Sequence, residues 1–255
     1  MNIEQLREEC LKIKRFAFTV LCLLPAVSLT AQDADKILQQ VDNNMSAETR
    51  IVESTMIIRG KRNDRTMTSL SYTEGAKKSY TEYLSPAREK GTKMLKLDNE
   101  MWIYSPSTDR TIMISGHLLR QSVMGSDLSY EDLMDDRKMT DVYSAALSGK
   151  ETCDQRDCYI LHLTAKADNV AYPSQKIWVD VERMIPLKQE LYAKSGQLLK
   201  RITLSDVKKI GNRWFPMKMN YRDMLKDGNG TDWIITKIEF DRKIDEYVFN
   251  KASLR

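Results

Sequence analysis

The sequence predicts a mainly β domain in which one strongly curved antiparallel sheet wraps around helices. Three observations predict it. From residue 48 onward the hydrophobic period falls to two and stays there through many short runs. Those runs are separated by hairpin-length turn clusters such as Gly60-Lys-Arg-Asn-Asp64 and Lys194-Ser-Gly-Gln197. Helical spacing is confined to one stretch ahead of the strands and one stretch among them. Short strands joined by hairpins make an antiparallel sandwich or barrel, and a sheet of this many strands curls.

The N-terminus reads as a targeting segment. Lys12, Lys14 and Arg15 precede an apolar run, 16–27, that ends in Ser28-Leu-Thr-Ala31. A basic start, a short apolar stretch and a small terminal residue make an export signal, with cleavage expected after Ala31. The run falls short of the roughly 20 residues a membrane span needs. The chain thus divides into a signal peptide, 1–31, and one domain, 32–255. Cys22 follows Leu21, where lipid attachment would want a small residue. A cleaved, exported, periplasmic protein is therefore the expectation.

Residues 33–44 predict the first helix, capped by Asp33, with Ala34, Ile37, Leu38 and Val41 on one apolar face. Strands are expected at 51–59, 65–72, 78–84, 93–97, 100–104 and 110–114. Between the last two, Ser105-Pro-Ser-Thr-Asp109 is a turn cluster. Then the period changes. Leu118, Leu119, Val123 and Met124 fall on one side of a short helix, and Gly125 stops it. Ser126 or Ser129 can cap the next helix, and Ser129-Tyr-Glu-Asp132 has capping-box spacing with Asp in the Glu position. A short helix turning into a strand is expected over 139–147. Further strands follow at 157–165, 175–181, 187–193, 198–210, 213–224 and 233–240, and the tail ends in a docking turn that buries Phe249. The helical insert is expected to cover the sheet's concave face as a lid hinged at Gly116 and Gly125.

Charge and motifs exclude several functions. Lys and Arg are interleaved with Asp and Glu, and the net charge is +4. No basic stripe tracks a phosphate backbone, so no nucleic-acid partner is expected. There is no G-x-S-x-G, phosphate loop or dinucleotide fingerprint, so no enzyme and no cofactor are expected. Cys158 and His162 would lie about 13 Å apart along one strand, too far to share a zinc ion, and no metal site is expected. Cys153 and Cys158 flank a four-residue hairpin loop, Asp-Gln-Arg-Asp. That spacing allows a disulfide in an oxidising compartment and equally allows two packed thiols.

Two blocks of sequence carry a family resemblance. The first reads Gly91-Thr-Lys-Met-Leu-Lys-Leu97, Met101-Trp-Ile-Tyr-Ser-Pro106, Arg110-Thr-Ile112 and Gly125-Ser-Asp-Leu-Ser-Tyr-Glu-Asp-Leu133. The second reads Asp157-Cys-Tyr-Ile-Leu-His-Leu163, Ile177-Trp-Val-Asp180, Pro186-Leu-Lys188 and Gly196-Gln-Leu-Leu-Lys200. Together they resemble the outer-membrane lipoprotein-sorting protein family, the LolA/LolB-like lipid carriers. The resemblance implies an unclosed β-barrel with a helical lid over a hydrophobic lipid site. It also implies an arginine that pins the closed lid; Arg59, Arg62 and Arg65 cluster at one hairpin, where surface solvation is the first reading and a lid contact from one of them the second, with no single residue assigned.

These readings converge on a cavity. The chain has 14 methionines, and Met56, Met67, Met94, Met101, Met113 and Met124 fall in or near the first six strands and the insert. Methionine adapts its shape, which suits flexible acyl chains as well as ordinary core filling. Burying a 16-carbon chain offers about 12 kcal/mol. The expected cavity and lid set is Met56, Met94, Trp102, Tyr104, Met113, Leu118, Leu119, Val123, Met124 and Trp178. The expected function is a monomeric periplasmic carrier, or chaperone, that shields a lipid or lipoprotein acyl chain on its way to the outer membrane, with an inner-membrane transporter as a further partner. The alternative is a lipid-sensing or accessory subunit of a transporter or envelope signalling system.

Overall fold

The structure, a computed structural model, describes residues 26–255 and the side chains from Asp33 onward. The expected signal peptide, 1–31, lies outside the described residues except for 26–31. Those residues belong to helix α1 (Ala26–Met45). The helix thus begins well before the expected start, and Asp33 lies inside it and does not cap it. Among the described residues, no helix is long and apolar enough to cross a membrane.

The six strands after α1 form a meander: β1 (Thr49–Ile58), β2 (Arg65–Glu74), β3 (Lys78–Ser85), β4 (Lys93–Leu97), β5 (Glu100–Ser105) and β6 (Arg110–Ile114). Seven more form a second meander: β7 (Tyr143–Cys153), β8 (Arg156–Ala165), β9 (Ser174–Asp180), β10 (Pro186–Tyr192), β11 (Leu198–Ile210), β12 (Arg213–Asp223) and β13 (Thr231–Phe240). β13 pairs with β1, and the two meanders fuse into one 13-stranded antiparallel sheet whose free edges are β6 and β7. The sheet is curled but not closed into a barrel. Register shifts at Glu53/Ser54, Thr68/Ser69 and Leu147/Gly149 mark bulges, which sharpen the local twist.

This topology dictates where the insert goes. β6 and β7 are consecutive in sequence but at opposite edges, so the segment between them must span the mouth of the curled sheet. It does so without a long helix. Two 3₁₀ turns, Gly116–Arg120 and Val123–Gly125, are followed by α2 (Tyr130–Met134) and α3 (Met139–Val142). The single helix expected around 118–124 is therefore broken: Gln121 and Ser122 are extended between the two turns, and Met124 inside the second turn has a positive φ of 51°. The capping box is present: the Ser129 hydroxyl accepts from the Asp132 amide, and the Asp132 carboxylate accepts from the Ser129 amide at 2.7 Å. The expected helix-to-strand change also occurs, as α3 running into β7.

The inner face and part of the outer face of the sheet are covered. On the inner face, Ala34, Ile37, Leu38 and Val41 of α1 pack on Leu161 and Leu163 of β8 and Ile177 and Val179 of β9. The pairing carries that same face across to β1–β5, where Val123 and Leu128 of the insert pack on Met56, Met67, Met94 and Met101. The outer face of β3–β5 is covered by the chain end, whose two 3₁₀ turns bury Phe249 and Leu254, with Ile244, against Tyr80, Leu95 and Trp102.

Candidate lipid-binding cavity

Between α1, the insert and the inner face lies a cavity of about 330 Å³. That volume is at the small end of the range for ligand pockets, roughly 300–1,000 Å³. Its apolar wall includes Met56, Met94 and Met101 from the first meander, and Phe215, Trp233 and Ile235 from the second. Leu128 and Leu133 close it from the insert, and Met45 closes it from α1.

The insert is fastened to the sheet by polar contacts at both ends. Arg65 on β2 donates from Nη2 to the Met124 carbonyl at 2.6 Å. Positive φ at Met124 and at Gly125 (73°) turns the backbone there. Glycine suits the positive φ at 125, and a Cβ there would stand 2.9 Å from the Arg65 guanidinium and push that flexible group aside. Across the mouth, the Thr231 hydroxyl donates to Asp127 at 2.8 Å and accepts from the Asp127 amide at 3.0 Å. The Asp223 amide also donates to Asp127, at 3.1 Å. Gly230 just before Thr231 has its own close approach, since a Cβ there would meet the Tyr221 carbonyl at 2.4 Å.

Asp132 ties down α2. Its carboxylate pairs with the Lys200 ammonium and accepts from the Tyr172 hydroxyl at 2.6 Å. Burial, reinforced by the Asp132 charge, raises the Tyr172 pKa and keeps the phenol protonated. Below α2, Lys96 donates to the Met134 and Ala76 carbonyls, each at 2.6 Å, and burial lowers its pKa. Arg50 pairs with Asp136. Partial desolvation alone would raise the Asp135 pKa, but Arg137 outweighs it and holds the carboxyl below its ordinary value. Finally, Asp42 on α1 accepts from the amides of Met139 and Thr140, both at 2.9 Å, and so caps α3.

The structure divides the residues expected in the cavity. Met56 and Met94 line it. Val123 and Met124 pack in the same cluster as these methionines. Leu118 and Leu119 are not brought in: they sit half-exposed in the first 3₁₀ turn, which buries none of its residues. Trp102, Tyr104 and Met113 are on the outer face, because strand alternation points Met101 and Ile103 inward and Trp102 pairs with Met113. Trp178 is also on the outer face, opposite Ile177 and Val179, where its indole donates to Glu151 at 2.8 Å and lies under the Lys188 ammonium. Cys153 and Cys158 are free thiols. Their cross-strand partners are Arg156 and Glu151 respectively, so the two cysteines are not directly opposed. Burial pushes the Cys158 thiol up to about 12 and also raises Cys153, so neither is poised as a thiolate.

Several residues of the site were not visible in the sequence. Asp127, Leu128 and Asp132 belong to the insert, and their neighbours Tyr172, Lys200 and Thr231 lie far off in the chain; Thr231 reaches Asp127, and Tyr172 and Lys200 reach Asp132, only because the insert crosses the mouth. The inner face of β2 and β3 between the methionines carries Ser69, Ser71, Thr73, Ser79 and Thr81. Period-two alternation would have found them, read with Leu70 and Tyr72 facing outward.

Comparison with known proteins agrees with this architecture. A family model described as "Uncharacterized protein" matches residues 75–255. No curated protein matches the sequence. Among solved structures, the chain is similar to an outer membrane lipoprotein-sorting protein domain from Vibrio parahaemolyticus, with 24% identity and a TM-score of 0.75 over 88% of this chain and 99% of that one. It is similar to a DUF1329 family protein from Desulfovibrio piger, with 25% identity and a TM-score of 0.78 over 89% and 99%. A LolA superfamily protein from Nitrosomonas europaea aligns with 24% identity and a TM-score of 0.72 over 88% and 99%. The chain belongs to the family whose model spans 75–255, and its fold, an unclosed antiparallel barrel bridged by an insert, is that of lipoprotein-sorting domains and the LolA superfamily.

Proposed function

We propose that this protein is a non-enzymatic periplasmic carrier that shields an acyl chain of a lipid or lipoprotein in the cavity beneath the insert. The observation that carries the reading is the methionine-rich cavity enclosed between the inner face and a polar-latched insert. A carrier has to remove apolar chain from water and later release it. Burial supplies the first, at about 0.8 kcal/mol per CH₂. An insert fastened by a few exposed or half-buried hydrogen bonds, each worth about 1 kcal/mol net, supplies the second. The name of the Vibrio relative, a lipoprotein-sorting domain, supports the cargo class.

The test is native mass spectrometry of the protein purified from a bacterial periplasm without detergent, followed by titration with a fluorescent 16-carbon fatty acid. Co-purified lipid, or saturable uptake at one site, is expected. An apo mass together with no uptake would overturn the carrier reading.

A further inference from the structure

The charged side chains of the cavity wall leave one charge over. Arg50, Lys96, Asp132, Asp135 and Asp136 line the cavity. Every carboxylate among them is paired: Asp132 with Lys200, Asp135 with Arg137 and Asp136 with Arg50. Lys96 is the exception. Among the described residues it has no carboxylate partner, and its ammonium donates only to the Ala76 and Met134 carbonyls. Yet Lys96 is 2% exposed, and lysine is almost never so buried unless paired. Two carbonyls take two of the three ammonium protons and neutralise no charge. The charges that act on Lys96 from further off oppose one another, Asp135 and Asp136 against Arg50 and Arg137. The wall thus holds one uncompensated cation with one donor to spare, and a charge left in that state is costly.

The strand register places apolar and hydroxyl groups beside this cation. Its cross-strand neighbours are Ser79 on β3 and Met101 on β5, and Met94 is two residues back on the same face of β4. All of them line the cavity. An anion on the ammonium would accept from the free N–H, and the Ser79 hydroxyl is a second donor beside it. The excess in the wall is a single positive charge, so a single negative charge completes it and a dianion would create a new excess.

Resting on the carrier reading, we infer that Lys96 is a head-group site, and that the cavity takes an amphiphile with a monoanionic head, a fatty-acid carboxylate or a lysophospholipid phosphodiester, whose chain lies on Met94 and Met101. Uncharged and cationic amphiphiles of equal chain length bind more weakly, because the first leaves the ammonium uncompensated and the second adds to its charge.

The experiment is calorimetric titration of the intact protein at neutral pH with four probes of one 12-carbon chain, each below its micellar concentration. They are laurate, lauroyl lysophosphatidylglycerol, monolauroylglycerol and dodecyltrimethylammonium. The tighter of the two anionic probes is expected to bind at least about tenfold better than the uncharged and cationic ones, as one charge-assisted hydrogen bond would give. Which anion is tighter identifies the source, fatty acid or phospholipid, and either result supports the inference. Lys96→Met keeps the stem and removes the charge. It should bring the anionic and uncharged probes to within roughly twofold of each other while monolauroylglycerol still binds. Should that variant unfold, Lys96→Gln keeps a donor without the charge and is read by the same ratio. Equal or tighter binding of monolauroylglycerol or of the cation by the unaltered protein overturns the head-group inference and leaves the carrier reading standing. An anion preference unchanged in a folded Lys96 variant overturns the assignment to Lys96. Failure of all four probes to bind overturns the carrier reading and this inference with it.

Discussion

Arg65 and Met124 are 59 residues apart in sequence, and the Arg65 guanidinium donates to the Met124 carbonyl at 2.6 Å. This bond joins β2 to the turn of the insert whose backbone is in the left-handed region. Such a conformation costs about 1 kcal/mol or more for a residue other than glycine and persists only where surrounding contacts hold it. The bond and the turn therefore support each other and fasten the insert to β2.

Arg65→Leu removes the donor and keeps the apolar stem. The bond is at the surface, so the expected loss is about 1 kcal/mol of closed-state stability, with the melting temperature little changed. Release of a bound fluorescent lipid should be roughly fivefold faster, because the closed state alone is weakened. Stopped-flow release measured beside thermal unfolding checks this. Unchanged release would show that the insert does not open at this end.

The sequence made the strands, turns and first helix face legible because local pattern governs them. Ala34, Leu38 and Val41 repeat at helical spacing and are all buried against the sheet. The site was less legible, for two physical reasons. First, alternation gives two faces but not which one is inner. Trp102 and Tyr80 look like core and are core, but of the outer layer built by the chain end. Second, the polar face of the cavity inverts the usual pattern, so Ser69, Ser71 and Thr73 read as solvated while lining the cavity. The latch partners Arg65, Asp127 and Thr231 depend on topology, which no local window contains.

Asp180 gives a pH-dependent prediction. Its carboxylate is fully buried, and it accepts from Arg156 and from the amides of Glu182 and Arg183, at 2.9 and 3.0 Å. Burial alone would raise its pKa, but these partners outweigh it and hold the folded value below the ordinary carboxylate range. The unfolded value is about 3.9, above the folded one, so the stabilisation is complete at neutral pH and is lost as pH falls through 4 and below. Asp180→Asn should therefore cost about 2–3 kcal/mol at pH 7 and distinctly less near pH 3. Urea unfolding at the two pH values tests it, and an equal cost at both would remove Asp180 as an acid-sensitive group.

Asp42 makes α1 and α3 one unit. It accepts from the Met139 and Thr140 amides and, at 2.7 Å, from the Thr140 hydroxyl. Asp42→Ala leaves those donors unmet and should cost about 1–2 kcal/mol. Hydrogen exchange is the informative measurement. Amides of Met139 and Thr140 should lose protection well before those of β8 and β9, and uniform loss would mean the cap holds the whole domain, not the end of the insert.

The insert itself can be separated from the core by three substitutions. Leu128 lines the cavity and is nearly fully buried, whereas Leu119 is half-exposed outside it. Leu128→Asp places a carboxylate in the apolar wall where the proposed acyl chain would lie, so fluorescent fatty-acid uptake should fall at least tenfold, with about 1–3 kcal/mol of stability lost. Leu119→Asp should change neither quantity much, because its side chain already meets water. Trp178→Ala should do the opposite of Leu128→Asp. It removes a buried indole from the outer face beside Ile160 and Leu187, and it should destabilise by about 3–5 kcal/mol while the folded fraction keeps its uptake. Uptake and thermal unfolding are measured on all three variants. Loss of uptake in Leu119→Asp would move the lid's contact surface to the first turn of the insert, and retained uptake in Leu128→Asp would place the acyl chain somewhere other than this cavity.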